Sequence, residues 1–222
     1  MIPDAINYIY GLPSYQTNIK PELYEKKKIL SQIEKNYKRS KVRNKWNTDS
    51  YVKTDIHHSI EDNNNPMFKK INYYSLPKQY EKIITDFFHK LALKKSFKST
   101  YNIVNYTCAR HNSLMMPHIH TDCTFSLIHY LSFDKEQHLP TIFKNPYYFN
   151  HLLPYKKNLQ NIFANREENS WAYQEWIINT VEDDVIIVPA ILEHYVRNID
   201  SKKSRITIIV NIRTDNGSRP FP

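Results

Sequence analysis

Three observations predict a mainly β fold with helical support, an α+β sandwich or jelly roll. From about residue 99 the chain carries six short β-branched and aromatic runs bounded by turn residues: "TYNIVNYTC", "FSLIHYLSF", "PTIFKN", "EWIINTV", "DVIIVP" and "RITIIVNI". Two stretches with apolar residues at helical spacing precede them. A hydrophobic share of 41% with 14% aromatic over 222 residues belongs to a folded chain with a core rather than a disordered one.

In chain order, "KPELYEKKKILSQIEKNYKRS" (20–40) predicts a helix with Pro21 at its start and Leu23, Leu30, Ile33 and Tyr37 as its apolar positions. The first third of the chain reads as helical and polar, with a basic run, "KRSKVRNK" at 38–45, and a polar loop to about residue 68. The second helix is clearer. "PKQYEKIITDFFHKLALKK" places Tyr80, Ile83, Ile84, Phe87, Phe88 and Leu91 on one face suited to packing on a sheet. The strand runs follow, interrupted at 146–174 by a stretch of mixed character that reads as a loop insertion near a site. The expected organisation is an N-terminal support region, 1–95, and a β core, 96–222.

A formal charge of +9 favours an acidic partner, either nucleic acid or an anionic metabolite. Cys108 and Cys123 are too few for a disulfide framework, which points to a reducing cytosol. The first residues lack a basic start followed by an apolar run, and no stretch approaches the ~20 apolar residues of a membrane span. A cytoplasmic protein without a membrane partner is expected.

The residues with chemical potential begin at "HIHTD", 118–122. On an extended strand His118, His120 and Asp122 project to one face. Alone, a His-x-Asp triplet is weak in a chain with ten histidines, and a solvated strand end explains it as well. Its context strengthens it. An apolar strand follows directly, and "EDDVIIVPAILEHYVRN" further on presents His194 just past a buried strand. Arg205 then opens "RITIIVNI", in which Ile206, Ile208 and Val210 alternate against Arg205, Thr207, Ile209 and Asn211. A guanidinium and a hydroxyl on one strand face can clamp a carboxylate. Two imidazoles and one carboxylate form the facial ligand set of non-haem Fe(II) oxygenases, leaving coordination positions for a 2-oxoacid and dioxygen.

On the motifs "HIHTDCTFSLIHYL", "DDVIIVPAILEHYV" and "RITIIVNI", residues 99–213 resemble the Fe(II)- and 2-oxoglutarate-dependent dioxygenases. The resemblance is to their prolyl 4-hydroxylase-like branch, especially the small versions of phages and marine bacteria. It implies a double-stranded β-helix supported by N-terminal helices. It also implies Fe(II) held by His120, Asp122 and His194, and 2-oxoglutarate held by Arg205 with Thr207 and Tyr130. The implied reaction is hydroxylation of a C–H bond coupled to decarboxylation of 2-oxoglutarate to succinate, with ascorbate as an auxiliary. A peptidyl substrate, proline first, is expected in the cytoplasm, that of the host if the chain is phage-encoded. A second register stays open, in which His118 and His120 are the strand ligands and Asp122 supports them from outside.

The remaining candidates have plainer readings. His111, His129, His138 and His151 are expected to be surface or satisfied core residues, and Arg197 a surface residue. A zinc site joining Cys108 and Cys123 to His118 and His120 lacks the usual spacing. Trp171, Tyr173 and Trp176 suit either a substrate cleft or packing. The basic run 38–45 raises a rival function, a non-catalytic jelly-roll module that binds nucleic acid.

Overall fold

The computed structural model describes residues 3–40, 56–59, 68–91, 98–111, 113–147 and 173–215. The basic run beyond residue 40, most of the 146–174 insertion, His151 and Trp171 lie outside the described residues.

Two antiparallel sheets form the body. Its strands are β1 (Ile6–Ile9), β2 (Leu12–Asn18), β3 (Ile56–His58), β4 (Lys98–Ala109), β5 (Ser113–His118), β6 (Phe125–Ser132), β7 (Ile142–Lys144), β8 (Glu175–Ile177), β9 (Asp184–Pro189), β10 (His194–Ile199) and β11 (Arg205–Asp215). The larger sheet runs β1-β2-β9-β6-β11-β4-β3 and the smaller β5-β10-β7-β8. All six predicted strand runs are strands, and the fold is a double-stranded β-helix.

Period-two alternation decides which side of the larger sheet meets which layer. On β11, Ile206, Ile208, Val210 and Ile212 join the core beneath the helices, together with Val185 and Ile187 of β9 and Leu127 and Leu131 of β6. Each fully buried aliphatic side chain there contributes about 1.5–3 kcal/mol. The helices are α1 (Lys26–Arg39) and α2 (Leu76–Lys90). Tyr80, Ile84, Phe87 and Phe88 of α2 form the predicted buried face. A second core between the sheets holds Ile128, Tyr130, Ile186, Val188, Phe143 and Trp176.

The N-terminal region departs from expectation. Residues read as polar and helical form the β1–β2 hairpin, closed by Tyr10 and Gly11 with φ of 55° and 78°, the paired positive values of a two-residue primed turn. Strand β2 pairs with β9, so this segment extends the larger sheet. Pro21 opens a short 3-10 turn, Pro21–Leu23, instead of the long helix, and Leu23 is half exposed. Ile29, not Leu23, joins Ile33 and Tyr37 on the buried face of α1.

Candidate metal centre

His118 closes β5 and pairs across the strands with His194, the first residue of β10. Beyond β5 the His120 N–H donates to the Ala190 carbonyl (2.9 Å), which holds this residue beside the same end of the smaller sheet. Three imidazoles therefore converge. Ring centroids are 4.3 Å apart for His118 and His194, 5.3 Å for His120 and His194, and 5.5 Å for His118 and His120. One potential ligand nitrogen from each lies within 4.8 Å of the other two.

Hydrogen bonds set the tautomers. The Nδ1–H groups of His118 and His194 donate to the carbonyls of Met116 and Leu192, each at 2.9 Å. His120 Nδ1 faces Asn211 Oδ1 at 3.2 Å, while Asn211 Nδ2 donates to Asp122 Oδ1 at 3.0 Å. Because the carboxylate can only accept, the amide orientation follows, and Oδ1 must accept from His120 Nδ1–H. Each ring thus carries its proton on Nδ1 and directs its lone pair from Nε2, the arrangement of metal-ligating histidines. Burial, with the His118 ring adding to it, pushes His194 down to about 3, and burial also lowers His118. Neutral imidazoles are the form a metal requires. The donor set fits a first-row divalent ion such as Fe(II).

Asp122 lines the same cavity as the three rings but is not one of the group whose ligand atoms converge. The strand ends at His118 and the chain bends at Thr121 and Asp122, so the expected i, i+2, i+4 face does not extend to its third member. The Asp122 carboxylate meets Asn211 and the Arg213 guanidinium (3.3 Å), and Arg213 Nε also donates to the Asp122 carbonyl. Its side chain is 57% exposed. Among the described residues the ligand-capable group that comes together is His118, His120 and His194, with Asp122 one hydrogen-bonded amide away.

The histidines open onto a cavity of about 420 Å³ between the sheets, into which Arg205, Thr207, Ile209 and Asn211 all project from β11. Arg205 is 2% exposed. Its Nε donates to the Leu139 carbonyl (3.1 Å), one terminal nitrogen lies 3.4 Å from Thr141 Oγ1, and its plane packs over the Tyr130 and Phe133 rings. Among the described residues no carboxylate forms an ion pair with it, so a buried cation faces the cavity uncompensated. Desolvation lowers its pKa accordingly. Thr207 shares a 2.7 Å hydroxyl contact with Thr107. The Tyr130 hydroxyl donates to Thr141 Oγ1, so Tyr130 supports Arg205 through its ring and Thr141 through its hydroxyl.

Sequence reasoning passed over Thr141, Asn105 and the role of Asn211. Asn211 had a readable signal, since it alternates in phase with Arg205. Asn105 reaches the cavity beside Val104, where the β4–β11 register shifts, and its Oδ1 is buried without a hydrogen-bond partner among the described residues. Thr141 carried no signal. The plainer expectation holds for His138, bonded to Asp134 N–H and the Lys203 carbonyl, while His129 is a core residue whose Nε2 has no hydrogen-bond partner among the described residues. Cys108 is buried in the helix-side core, away from the histidines, and Trp176 packs between the sheets.

No family model and no curated protein matches the chain. Solved structures do. A prolyl hydroxylase from Trichoplax adhaerens, in complex with a peptide fragment of the hypoxia inducible factor oxygen degradation domain, superposes with TM-score 0.52 at 10% identity, over 90% of this chain and 83% of that one. AviO1 from Streptomyces viridochromogenes Tue57 gives 0.53 at 12% identity, over 94% and 92%. An oxidoreductase of the 2OG-Fe(II) oxygenase family from Burkholderia pseudomallei gives 0.40 at 11% identity over 65% of this chain, which spans 61% of its length. The chain therefore has the double-stranded β-helix fold of a prolyl hydroxylase.

Proposed function

We propose that the protein is an Fe(II)- and 2-oxoglutarate-dependent dioxygenase that hydroxylates a C–H bond. The observation that carries this reading is one cavity lined both by converging neutral imidazoles and by a buried guanidinium that, among the described residues, forms no ion pair. His120 and His194 would bind the metal through Nε2. Arg205 would receive the distal carboxylate of 2-oxoglutarate, with the Thr207 and Thr141 hydroxyls beside it and Tyr130 holding the guanidinium in place. A bound ferrous ion would supply the oxidative decarboxylation of 2-oxoglutarate to succinate and the transfer of one oxygen atom to the substrate. The apolar walls, among them Ile128, Val196 and Ile209, would exclude water from that reaction.

The likeness to the Trichoplax enzyme supports a peptidyl prolyl residue as the first substrate class to test. The decisive assay is succinate formation under air from 2-oxoglutarate and Fe(II), with ascorbate present, followed by mass spectrometry of a proline-rich peptide library. Succinate that depends on both metal and Arg205 supports the reading. A metal-loaded protein that binds no 2-oxoglutarate rejects it, and salt-sensitive nucleic-acid binding without metal uptake would favour the basic binding module instead.

A further inference from the structure

We infer that the helix-covered side of the protein, opposite the cavity, is a binding surface for single-stranded nucleic acid. This goes beyond the oxygenase reading and does not rest on it.

Charge is unevenly spread along the chain. Residues 20–40 and 69–90, the two helices with the turns that precede them, hold twelve Lys and Arg against five Asp and Glu. That is a surplus of seven in a chain whose net charge is +9. On α1 the exposed Lys28, Lys35 and Arg39 stand at i, i+7 and i+11, which makes one ridge about 16 Å long. Ile29, Ile33 and Tyr37 occupy the face that packs on the sheet.

A second row runs beside this ridge. Asn36 exchanges two hydrogen bonds with the Lys69 backbone and Gln32 two with that of Asn72, so residues 69–74 lie antiparallel along α1. Exposed Lys69 and Lys70 are thereby placed beside the end of the ridge. At its start, Lys28 Nζ lies 5.3 Å over the Tyr74 ring. Among the described residues the Lys and Arg ion pairs of this layer are those of Lys26, Lys90 and Arg110. Lys28, Lys35, Arg39, Lys69 and Lys70 have no carboxylate partner there, and the neighbouring Glu25 carboxylate is taken up by Ser75.

Tyr74 distinguishes this surface from a solvated charge run. It is 41% exposed, and its φ of 49° is a left-handed conformation rare for an aromatic residue. Its N–H donates to Asn72 Oδ1, which holds the backbone in that form. An outward ring beside cations without carboxylate partners is the combination that stacks an unpaired base and contacts its phosphates. The cavity lies on the other face of the larger sheet, since Arg205, Thr207 and Ile209 line it while Ile206, Ile208 and Val210 face the helices. A strand bound on the helices therefore leaves the cavity free.

The test is fluorescence anisotropy of the full-length protein with a short labelled oligouridine, alone and paired to its complement. Vesicles of phosphatidylserine and phosphatidylcholine serve as competitor. The single strand is expected to bind more tightly than the duplex, with log K falling by about 0.7 per log unit of salt for each phosphate contacted, or about 2 to 3.5 for three to five contacts. Tyr74→Ala is expected to weaken binding about 5- to 150-fold, and Tyr74→Phe to retain it. Lys35→Gln with Arg39→Gln is expected to make the salt slope shallower by about 1.4. The same loss of charge on the smaller sheet, Lys144→Gln with Arg197→Gln, is expected to leave the slope unchanged. Absence of binding at low salt, equal affinity for duplex and single strand, or displacement of the RNA by anionic vesicles overturns the proposal. Equal effects of the two charge variants overturn it as well. The strand preference of the unmodified protein decides even if a variant fails to fold.

Discussion

Replacing Arg205 by Met should separate stability from binding. The side chain is buried, donates to one carbonyl and packs over two aromatic rings, and among the described residues it faces no carboxylate. Losing the bond to Leu139 O costs about 1.5–3 kcal/mol. Losing the desolvated cation–π contacts costs about 1–2 kcal/mol more. Against this, removing a buried charge without an ionic partner regains several kcal/mol of desolvation, and the unbranched Met fills similar space. The two sides nearly cancel, so the ligand-free variant should fall within about 2 kcal/mol of the parent, a Tm shift of no more than about 4–8 °C. Binding of 2-oxoglutarate, by contrast, loses its buried ionic partner. That costs about 2–5 kcal/mol, or about 30-fold to several thousandfold in Kd. Anaerobic calorimetric titration of the Fe(II)-loaded protein, paired with thermal melts of both forms, measures the two effects. A variant that loses the fold but, where folded, binds 2-oxoglutarate as before would make Arg205 a structural residue and refute the reasoning.

Asn211→Leu removes the acceptor that holds His120 in its Nδ1–H tautomer and should weaken metal binding about 10–100-fold by competitive chelator titration, leaving the other two rings in place. His129 is a core histidine whose Nδ1 lies 2.8 Å from the Tyr80 hydroxyl and whose Nε2 lies 3.8 Å from Asp183; burial lowers its pKa. A depressed folded value means its stabilising contribution is complete above the unfolded pKa of about 6.5 and is lost as pH falls below it, at up to about 1.4 kcal/mol per unit. Urea unfolding at pH 7 and pH 5 should show a smaller acid loss in His129→Gln, although that variant is less stable at both. Gly11→Ala places a Cβ in open space but at φ +78°, so it should cost only the backbone strain, about 1 kcal/mol, in the same assay.

What could be read from the sequence was what depends on local period. The alternation of "RITIIVN" sorted Arg205, Thr207, Ile209 and Asn211 from Ile206, Ile208 and Val210, and the structure divides the cavity wall from the helix-side core along that line. The 3.6-residue spacing around Phe87 likewise predicted the buried face of α2. "HIHTD" left two registers open at Asp122, because its conformation there is not local. The bend is held by Asn211 and Arg213, about ninety residues away in sequence. The β1–β2 hairpin was missed although Gly11 marked its turn, because strands of four and seven residues among polar neighbours give little period to count. Thr141 matters only through its bond to Tyr130 and its closeness to Arg205, which no spacing along the chain reveals.

The charges in the cavity give the position of Asp122 a physical meaning. A divalent ion held by the imidazoles would bring +2 and Arg205 adds +1, while Asp122 is the carboxylate among the lining residues of the same cavity. A 2-oxodicarboxylate brings −2, so the loaded cavity would retain one positive charge, whereas a coordinated Asp122 would cancel it. In a low-dielectric site one unit charge at about 5 Å is worth on the order of 3 kcal/mol at an effective dielectric near 20. An uncoordinated Asp122 would strengthen the attraction for an anionic cosubstrate and weaken the grip on the metal itself. The Asn211 bridge moderates that second effect, because the carboxylate orients the amide and the amide orients the His120 ring. Exposed Arg213 can contribute little energy to this arrangement, since surface ion pairs are worth about 0–1 kcal/mol. The buried amide of Asn211 is therefore the element that ties the Asp122 carboxylate to the His120 ring.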